Sequence, residues 1–306
     1  MKDKILDILR KEKNLISGET ISNIIGVSRV AIWKHIRRLQ ELGYSIESRP
    51  KGYQLKKDMD FLFSWEFPDR QTKIHYFPKA SSTMEIAMDL ARKECPDFTV
   101  VIAGTQKKGR GRLKRVWLSE QGGLYFTVVL RPEIPPALCP KINFGASLCL
   151  AQILRDMYGL DAGVKWPNDI LVQGKKISGM LSQMDAEVDQ VNCLNIGIGL
   201  NVNNDPTAKE PNASSLKIIL GRQCSRKRIL TAFLNSFENW MKDPDLETVI
   251  DEWKKYTITI NQQVKIITTN SVFEGIAVDV DHNGALLLQL ENKTIKTVTF
   301  GDCFHQ

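Results

Sequence analysis

The sequence predicts an α+β protein in three parts. These are an N-terminal winged helix-turn-helix, a central mixed α/β-sheet domain and a small C-terminal SH3-like β-barrel. Three observations carry the prediction. Two short amphipathic helices flank a glycine in the first sixty residues and are followed by a hairpin pattern. The middle interleaves hairpins with helices, which favours antiparallel neighbours over a doubly wound parallel sheet. The tail, from about Ile260, is made of short alternating runs. With 306 residues the chain has room for several domains, and the expected boundaries are 1–63, 64–258 and 259–306.

At 42% hydrophobic and 25% charged residues, the chain can bury an ordinary core. No apolar run is expected to approach the roughly 20 residues of a membrane helix. The opening "MKDKILDILRKEKN" lacks the apolar core of a signal peptide. A cytoplasmic location with no membrane partner is the expectation. Cys95, Cys139, Cys149, Cys193, Cys224 and Cys303 have neither zinc-knuckle nor redox-pair spacing, so they are read as reduced thiols. His35, His75, His282 and His305 are scattered and show no metal-ligand spacing.

The net charge of +7 is uneven, because residues 1–60 hold thirteen Lys and Arg against eight Asp and Glu. In "SGETISNIIGVSRVAIWKHIRRLQELGYSIESRPKGYQL", a helix over about Thr20 to Ile25 leads into Gly26, which permits a tight turn. Ser28 can cap a second helix that stops near Gly43. Ile32, Ile36 and Leu39 share one face of it, while Arg29, Trp33, Lys34, Arg37 and Arg38 share the other. That is a helix-turn-helix whose second helix would enter a major groove. "YSIES" and "GYQL" then form a wing with Arg49 and Lys51 at its tip, placed for phosphate contacts. Helix-turn-helix units also dock proteins; the basic wing tips the balance to DNA.

In the middle, "FTVVIAGTQ" and "GLYFTVVLRP" read as buried strands. "INFGASLCLAQILRDMYG" reads as a helix with Ile142, Cys149, Ile153 and Met157 inward, ended by Gly159. "VKWPNDILVQGKKISGMLSQM" reads as a hairpin turning near Gln173-Gly174, and "CLNIGIGLNVN" as a glycine-interrupted strand. "SRKRILTAFLNSFENWM" reads as a helix with Leu230, Phe233, Leu234, Phe237 and Trp240 inward. In the tail, "HNGA" is a tight hairpin.

The stretch "KKGRGRLKRVW" places six cations and two glycines between two buried strands. Arginines there can form forked bonds to phosphate or carboxylate. The glycines let backbone approach a ligand and let the loop reorder, and Trp117 can stack on a base. The plainer alternative is a basic surface loop. Lys114 at the third glycine position rules out a dinucleotide fingerprint. In "KWPND", Asn168 and Asp169 start a strand and can face a cavity, or simply form a turn. Lys176 follows a glycine turn, within reach of an anionic centre or of solvent. Ser82 and Glu85 have capping-box spacing at the start of a helix whose N-terminus also favours a polar or anionic ligand.

"GRGRLKRVW", "KWPND", "GKKISGML" and "IGIGLNVN", in that order and spacing, resemble the biotin–protein ligases. The winged helix ahead of them resembles that of the bifunctional bacterial type, the biotin operon repressor. The resemblance implies a central domain of class II synthetase-like fold. It also implies two steps: ATP-dependent formation of biotinyl-5′-adenylate, then transfer to a lysine of the biotin carboxyl carrier protein of acetyl-CoA carboxylase. ATP and biotin are the implied substrates, with Mg²⁺ on the leaving pyrophosphate. Carried over by position, Ser82, Thr83, Met84, Gln106, Arg110 and Gly111 would hold the biotin head and carboxylate. Arg112, Lys176 and Arg110 would be the catalytic cations. Arg115, Trp117, Asn168 and Asn201 would serve the nucleotide, and Asp169 the metal or the incoming lysine. Arg29, Lys34, Arg37, Arg49 and Lys51 would contact operator DNA as a homodimer formed when adenylate is bound.

The resemblance has departures. Ser81-Ser82-Thr83-Met84 stands where Asp-Ser-Thr-Asn is common, so Met84 replaces a polar amide. Lys114 replaces a small residue, with an expected effect on loop flexibility, and Trp33 alters the exposed face of the recognition helix. Three rival readings remain: a DNA-binding sensor with an inactive ligase fold, a lipoate-type ligase, and a ligase whose N-terminal domain no longer binds DNA. The intact Arg112 and Lys176 oppose the first, and the full "GRGR" loop opposes the second.

Overall fold

Hydrophobic spacing dictates how the first seventy-two residues pack. The computed structural model describes residues 1–306, leaving aside the side chain of Lys114, so the expectation attached to that residue lies outside the described residues. The chain divides into two units, Met1–Thr72 and Lys73–Gln306.

In the first unit, helix α1 (Lys2–Lys11) goes beyond the expected elements. Its signal is the i, i+1, i+4 spacing of Ile5, Leu6 and Leu9, all buried. Helix α2 (Gly18–Ile25) starts where the Ser17 hydroxyl accepts the Thr20 N–H at 3.0 Å. It ends at Gly26, which is left-handed. Helix α3 (Arg29–Glu41) is capped by the Ser28 hydroxyl, which accepts from the Ala31 N–H at 3.2 Å. Ile32, Ile36 and Leu39 are fully buried in one core with Ile5, Leu6 and Ile21. Arg29, Trp33, Lys34, Arg37 and Arg38 are exposed, as the helical period requires.

Strands β1 (Ser45–Arg49) and β2 (Gly52–Lys57) form the antiparallel wing, with Arg49 and Lys51 exposed at its turn. Gly52 (φ 146°) lies so close to the Ile16 carbonyl that a Cβ would sit 2.1 Å from its oxygen. Only glycine lets the wing close against the α1–α2 connection. Behind the wing, the buried Glu66 carboxylate accepts from Arg10 at 2.7 Å and from the Tyr44 hydroxyl at 2.5 Å. The segment after the wing is thereby tied to the helices of this unit.

The second unit is built on a seven-stranded sheet. Its strands are β3 (Ile74–Phe77), β4 (Thr99–Ala103), β5 (Leu124–Leu130), β6 (Gly163–Lys165), β7 (Asp169–Val172), β8 (Lys175–Ala186) and β9 (Val191–Leu200). Their order is β3-β4-β5-β9-β8-β7-β6. Only β3 and β4 run parallel; every other neighbouring pair is antiparallel, as expected of an α+β fold. Helix α4 (Thr83–Arg92) packs on the sheet through Ala87, Met88 and Ala91.

Helix α5 (Cys139–Tyr158) was expected to bury one face. Instead it is buried nearly all round from Cys139 to Leu154, while Met157 is only half-buried. The reason is that α7 (Arg226–Lys242) and α8 (Val249–Lys254) cover what the sheet does not. Trp240 lies over Gly145, where a Cβ would come within 2.4 Å of the indole. The segment Pro136–Tyr158 is long and apolar enough to cross a membrane, which corrects the expectation that no run approaches that length. With 78% of its apolar window buried inside the protein, it behaves as a core helix. The short helix α6 (Leu216–Leu220) follows β9.

The tail supplies β10 (Gln263–Ile267), β11 (Val272–Val280), β12 (Leu286–Gln289), β13 (Ile295–Val298) and β14 (Asp302–His305). They pair antiparallel in the order β13-β12-β11-β10-β14, so hydrogen bonding among the described residues gives a sheet with β13 and β14 at its edges. The central sheet and this one are joined by Trp166, which is 1% exposed. Its N–H donates to the Thr259 hydroxyl and its indole N–H to the Gly284 carbonyl, each at 2.9 Å.

Ile36→Ala should remove a fully buried side chain from the small N-terminal core. The expected loss is about 2–5 kcal/mol, read as a lower urea midpoint in the transition reported by the first unit's tryptophans.

Candidate active site

One cavity of about 600 Å³ opens at the face of the central sheet and is walled on one side by β14. Four segments deliver its side chains: the start of α4, the basic loop, the β6–β8 hairpins and strand β9.

The start of α4 is held by a satisfied polar network. Gln106 Oε1 accepts from the Thr83 N–H at 2.8 Å and from the Thr83 hydroxyl at 3.1 Å. Gln106 Nε2 donates to Ser119 Oγ at 2.8 Å, and the Thr127 hydroxyl donates to Thr83 Oγ1 at 2.9 Å. The expected capping box does not form. The Ser82 hydroxyl makes no cap bond, Gln106 accepts the first N–H of the helix, from Thr83, and Glu85 turns outward to the Ser81 hydroxyl and Arg110. Hydrogen bonding from Ser81, then the Arg110 charge, holds the Glu85 carboxyl below its usual range. Ser82 Oγ is left buried with no partner, in a residue 1% exposed that lines the cavity.

The basic loop folds back on itself. The Gly111 N–H donates to the Arg115 carbonyl at 2.8 Å, and the Trp117 N–H to the Gly109 carbonyl at 3.0 Å. Arg112 turns into the cavity, where burial lowers its pKa while Asp302 and Asp169 pull the other way. Arg115 lies 3.0 Å from Asp302 on β14, with its guanidinium 5.0 Å from the Phe304 ring centroid. Gly111 lines the cavity beside them.

Strand β9 explains its own glycines. A Cβ on Gly197 would be 2.6 Å from Met84 Sδ, and one on Gly199 would be 2.3 Å from the Trp117 indole. The strand is bare so that these two side chains can lie flat on it. Met84, 4% exposed, thus forms floor rather than offering a polar contact. The Trp117 indole N–H is buried without a partner.

On the hairpins, Lys176 pairs with Asp169 at 2.7 Å, 5.4 Å from the Trp117 ring centroid. The Asn168 amide donates to the Met180 carbonyl, and the Met180 N–H returns a bond to the Asn168 carbonyl. Asn168 therefore braces the turn from inside while still lining the cavity. Asn201 Oδ1 accepts from Asn204 Nδ2 at 2.9 Å. No cluster of three His, Cys, Asp or Glu capable of holding a metal exists among the described residues. With Asp169 already paired to Lys176, the protein's own groups do not fit a resident Mg²⁺ site.

The structure thus brings Ser82, Thr83, Met84, Gln106, Arg110, Gly111, Arg112, Arg115, Trp117, Asn168, Asp169, Lys176 and Asn201 to one cavity. It adds Lys165 and the β14 residues Asp302, Cys303, Phe304 and His305. Alternation in β14 gives no sign of a site, because these residues reach the cavity only through the docking of Trp166.

Residues 76–203 match the biotin/lipoate A/B protein ligase family, residues 2–54 an HTH domain, and residues 259–306 the biotin protein ligase C terminal domain. The chain is 34% identical over 316 residues to the bifunctional ligase/repressor BirA of Bacillus subtilis, covering 98% of this chain and 97% of that one. It is 30% identical to the Escherichia coli protein of the same name, with 89% and 88% covered. A biotin protein ligase from Aquifex aeolicus in complex with biotin and ATP superposes with a TM-score of 0.66 at 27% identity. That likeness covers 76% of this chain and 98% of that one.

Gly199→Ala should collide with the Trp117 ring and lower stability by about 1–3 kcal/mol. In a Trp117→Ala background the same substitution should cost almost nothing, a coupling that a double-mutant cycle in urea would measure.

Proposed function

Because the chain belongs to the bifunctional biotin protein ligase/repressors, we propose that its 600 Å³ cavity is where biotin and ATP meet. The observation that carries this reading is an unpartnered buried hydroxyl facing cations around one space. The buried Ser82 hydroxyl has no partner, the half-buried Arg112 reaches in from the loop, and Lys176, paired with Asp169, lines the same space. A buried polar group without a partner is unfavourable by about 1–3 kcal/mol, so a ligand is the natural completion.

The biotin head lies on Met84, Gly197 and Gly111 and bonds to Ser82, with Thr83 and Gln106 fixing that wall. Its carboxylate oxygen attacks the α-phosphorus of ATP. The bond from that phosphorus to the bridging oxygen breaks, and its electron pair leaves on pyrophosphate. Arg112, Lys176 and Arg110 stabilise the charge that develops on phosphate oxygens. Asn168, Arg115, Trp117 and Asn201 border the nucleotide. Mg²⁺ enters with ATP rather than as a bound ion of the protein, and no step here is routed through it. The loop shields the mixed anhydride from water. The amine of a carrier-protein lysine then attacks the acyl carbon, expelling AMP, with Asp169 beside the approach.

Residues 1–63 serve as the DNA-binding module, 64–258 as the ligase and 259–306 as the wall that completes it. Arg29, Lys34 and Arg37 of the recognition helix, with Arg49 and Lys51 of the wing, meet operator DNA. A homodimer formed when adenylate orders the loops presents two such modules. The carrier protein of acetyl-CoA carboxylase is the acceptor, and the cytoplasm is where these partners are found together.

Incubation with biotin and ATP should release pyrophosphate; no turnover would make the protein a sensor. Lys176→Ala should lower the rate of adenylate formation about 10²–10³-fold. Arg112→Gly should let adenylate escape, measured as free biotinyl-AMP in a filtrate. Operator binding should weaken as salt rises and strengthen when biotin and ATP are both present. A gel shift indifferent to those ligands would remove the regulatory part of the reading.

A further inference from the structure

Five cationic side chains line the cavity, and three are already committed to carboxylates of the protein. Arg110 is bonded to Glu85, Arg115 pairs with Asp302 and Lys176 pairs with Asp169. Arg112 and Lys165 have no carboxylate partner among the described residues. Arg112 belongs to the loop and is accounted for by the reaction centre. Lys165 sits on the opposite side, at the end of the outermost strand of the central sheet.

Strand order makes this position informative. From the biotin end outward the neighbours are β9 with Gly197, β8 with Lys176, β7 with Asp169 and β6 with Lys165. Adjacent strands are about 4.8 Å apart, so Lys165 lies roughly 14 Å across the sheet from β9. In an in-line displacement the attacking and leaving oxygens lie on opposite sides of phosphorus. With the carboxylate arriving from the β9 side and the α-phosphate at Lys176, the leaving group extends toward β6.

A second unpartnered group waits there. His305 Nε2 is buried without a hydrogen bond, in a residue on the cavity wall. Burial, then the nearby Lys165 charge, pushes the imidazole down to about 4, so it is neutral at pH 7 and offers one N–H without adding charge. Lys165 Nζ lies 5.9 Å from the Phe304 ring centroid, and burial lowers its pKa also. Cys303, which is buried, and Phe304 line the same wall. A half-buried lysine with no carboxylate partner and an imidazole nitrogen buried without a hydrogen bond, side by side on one cavity wall, suit an anion with several oxygens.

We propose that Lys165 of β6 and His305 of β14 form the subsite that receives the pyrophosphate end of ATP, so that the C-terminal sheet handles the leaving group. The inference rests on the reading of this cavity as the adenylating site. Lys165 and His305 are binding residues in it; the adenylate, once formed, no longer touches them.

The test uses the full chain with biotin, ATP and inorganic pyrophosphate. Lys165→Met should raise the product-inhibition constant of pyrophosphate and the KM for ATP at least about tenfold. Affinity for prepared biotinyl-5′-adenylate, measured by calorimetry, should stay within about twofold, since the lost bonds belong to the departing group. Lys165→Arg should restore much of the pyrophosphate response, and His305→Phe should weaken it about threefold or more. The subsite is overturned if Lys165→Met leaves pyrophosphate inhibition unchanged, or if adenylate affinity falls in parallel. If Lys165→Met fails to fold by circular dichroism, the His305→Phe result decides between the same two outcomes. A wild-type chain that exchanges no pyrophosphate with biotin and ATP overturns the proposed function itself, and this subsite with it.

Discussion

An indole buried between two sheets is the constraint on which the rest of the second unit depends. Trp166 places one N–H on the Thr259 hydroxyl and the other on the Gly284 carbonyl, at 2.9 Å each. Lys165, Asn168 and Asp169 flank that anchor in sequence, so their positions are set by it. On the other side, the anchored sheet carries Asp302 to within 3.0 Å of Arg115. The basic loop is therefore tethered at Arg115 by a residue nearly two hundred positions away in sequence. A segment held in this way has less backbone freedom to lose when a ligand arrives.

Satisfied and unsatisfied groups are segregated around the cavity. Gln106, Thr83, Thr127 and Ser119 bond only to one another or to backbone, and they form a rigid frame. Ser82 Oγ, Trp117 Nε1 and His305 Nε2 have no partner and point from that frame and the facing wall. Natural interiors leave few such atoms. Three lie around one space among the described residues: the scaffold uses up its own hydrogen bonds, and the remainder face the cavity. Met84 fits this division, because a thioether can lie over Gly197 without asking for a partner.

Much of this was readable from the sequence where the signal is local. The spacing of Ile32, Ile36 and Leu39, the caps at Ser28 and Gly159, and the turn at Gln173-Gly174 all follow from short-range chemistry. The motif residues meet in one cavity. Non-local competition was not readable. Ser82 and Glu85 have capping-box spacing, yet the Ser82 hydroxyl makes no cap bond, and Gln106, twenty-three residues from Thr83, accepts the first N–H of the helix. Helix α5 carries an amphipathic pattern, yet two later helices cover its other face. His305 and Lys165 looked unremarkable because nothing in a period-2 or period-3.6 pattern reports which sheet will be docked against which. The glycines of β9 were visible, but their reason, the Met84 and Trp117 side chains lying on them, belongs to tertiary structure.

The Trp166–Gly284 bond spans 118 positions of the chain. Contacts of such separation form only after a long loop has been closed against its entropy. The cavity therefore depends on a long-range contact, and a chain in which Trp166 is undocked has the motif residues without the wall that completes the cavity. A ligand that needs both walls of the cavity binds the docked state better than an undocked one, and by mass action it draws the population toward that state. Metabolite supply would in this way act as a folding aid for the enzyme that consumes it.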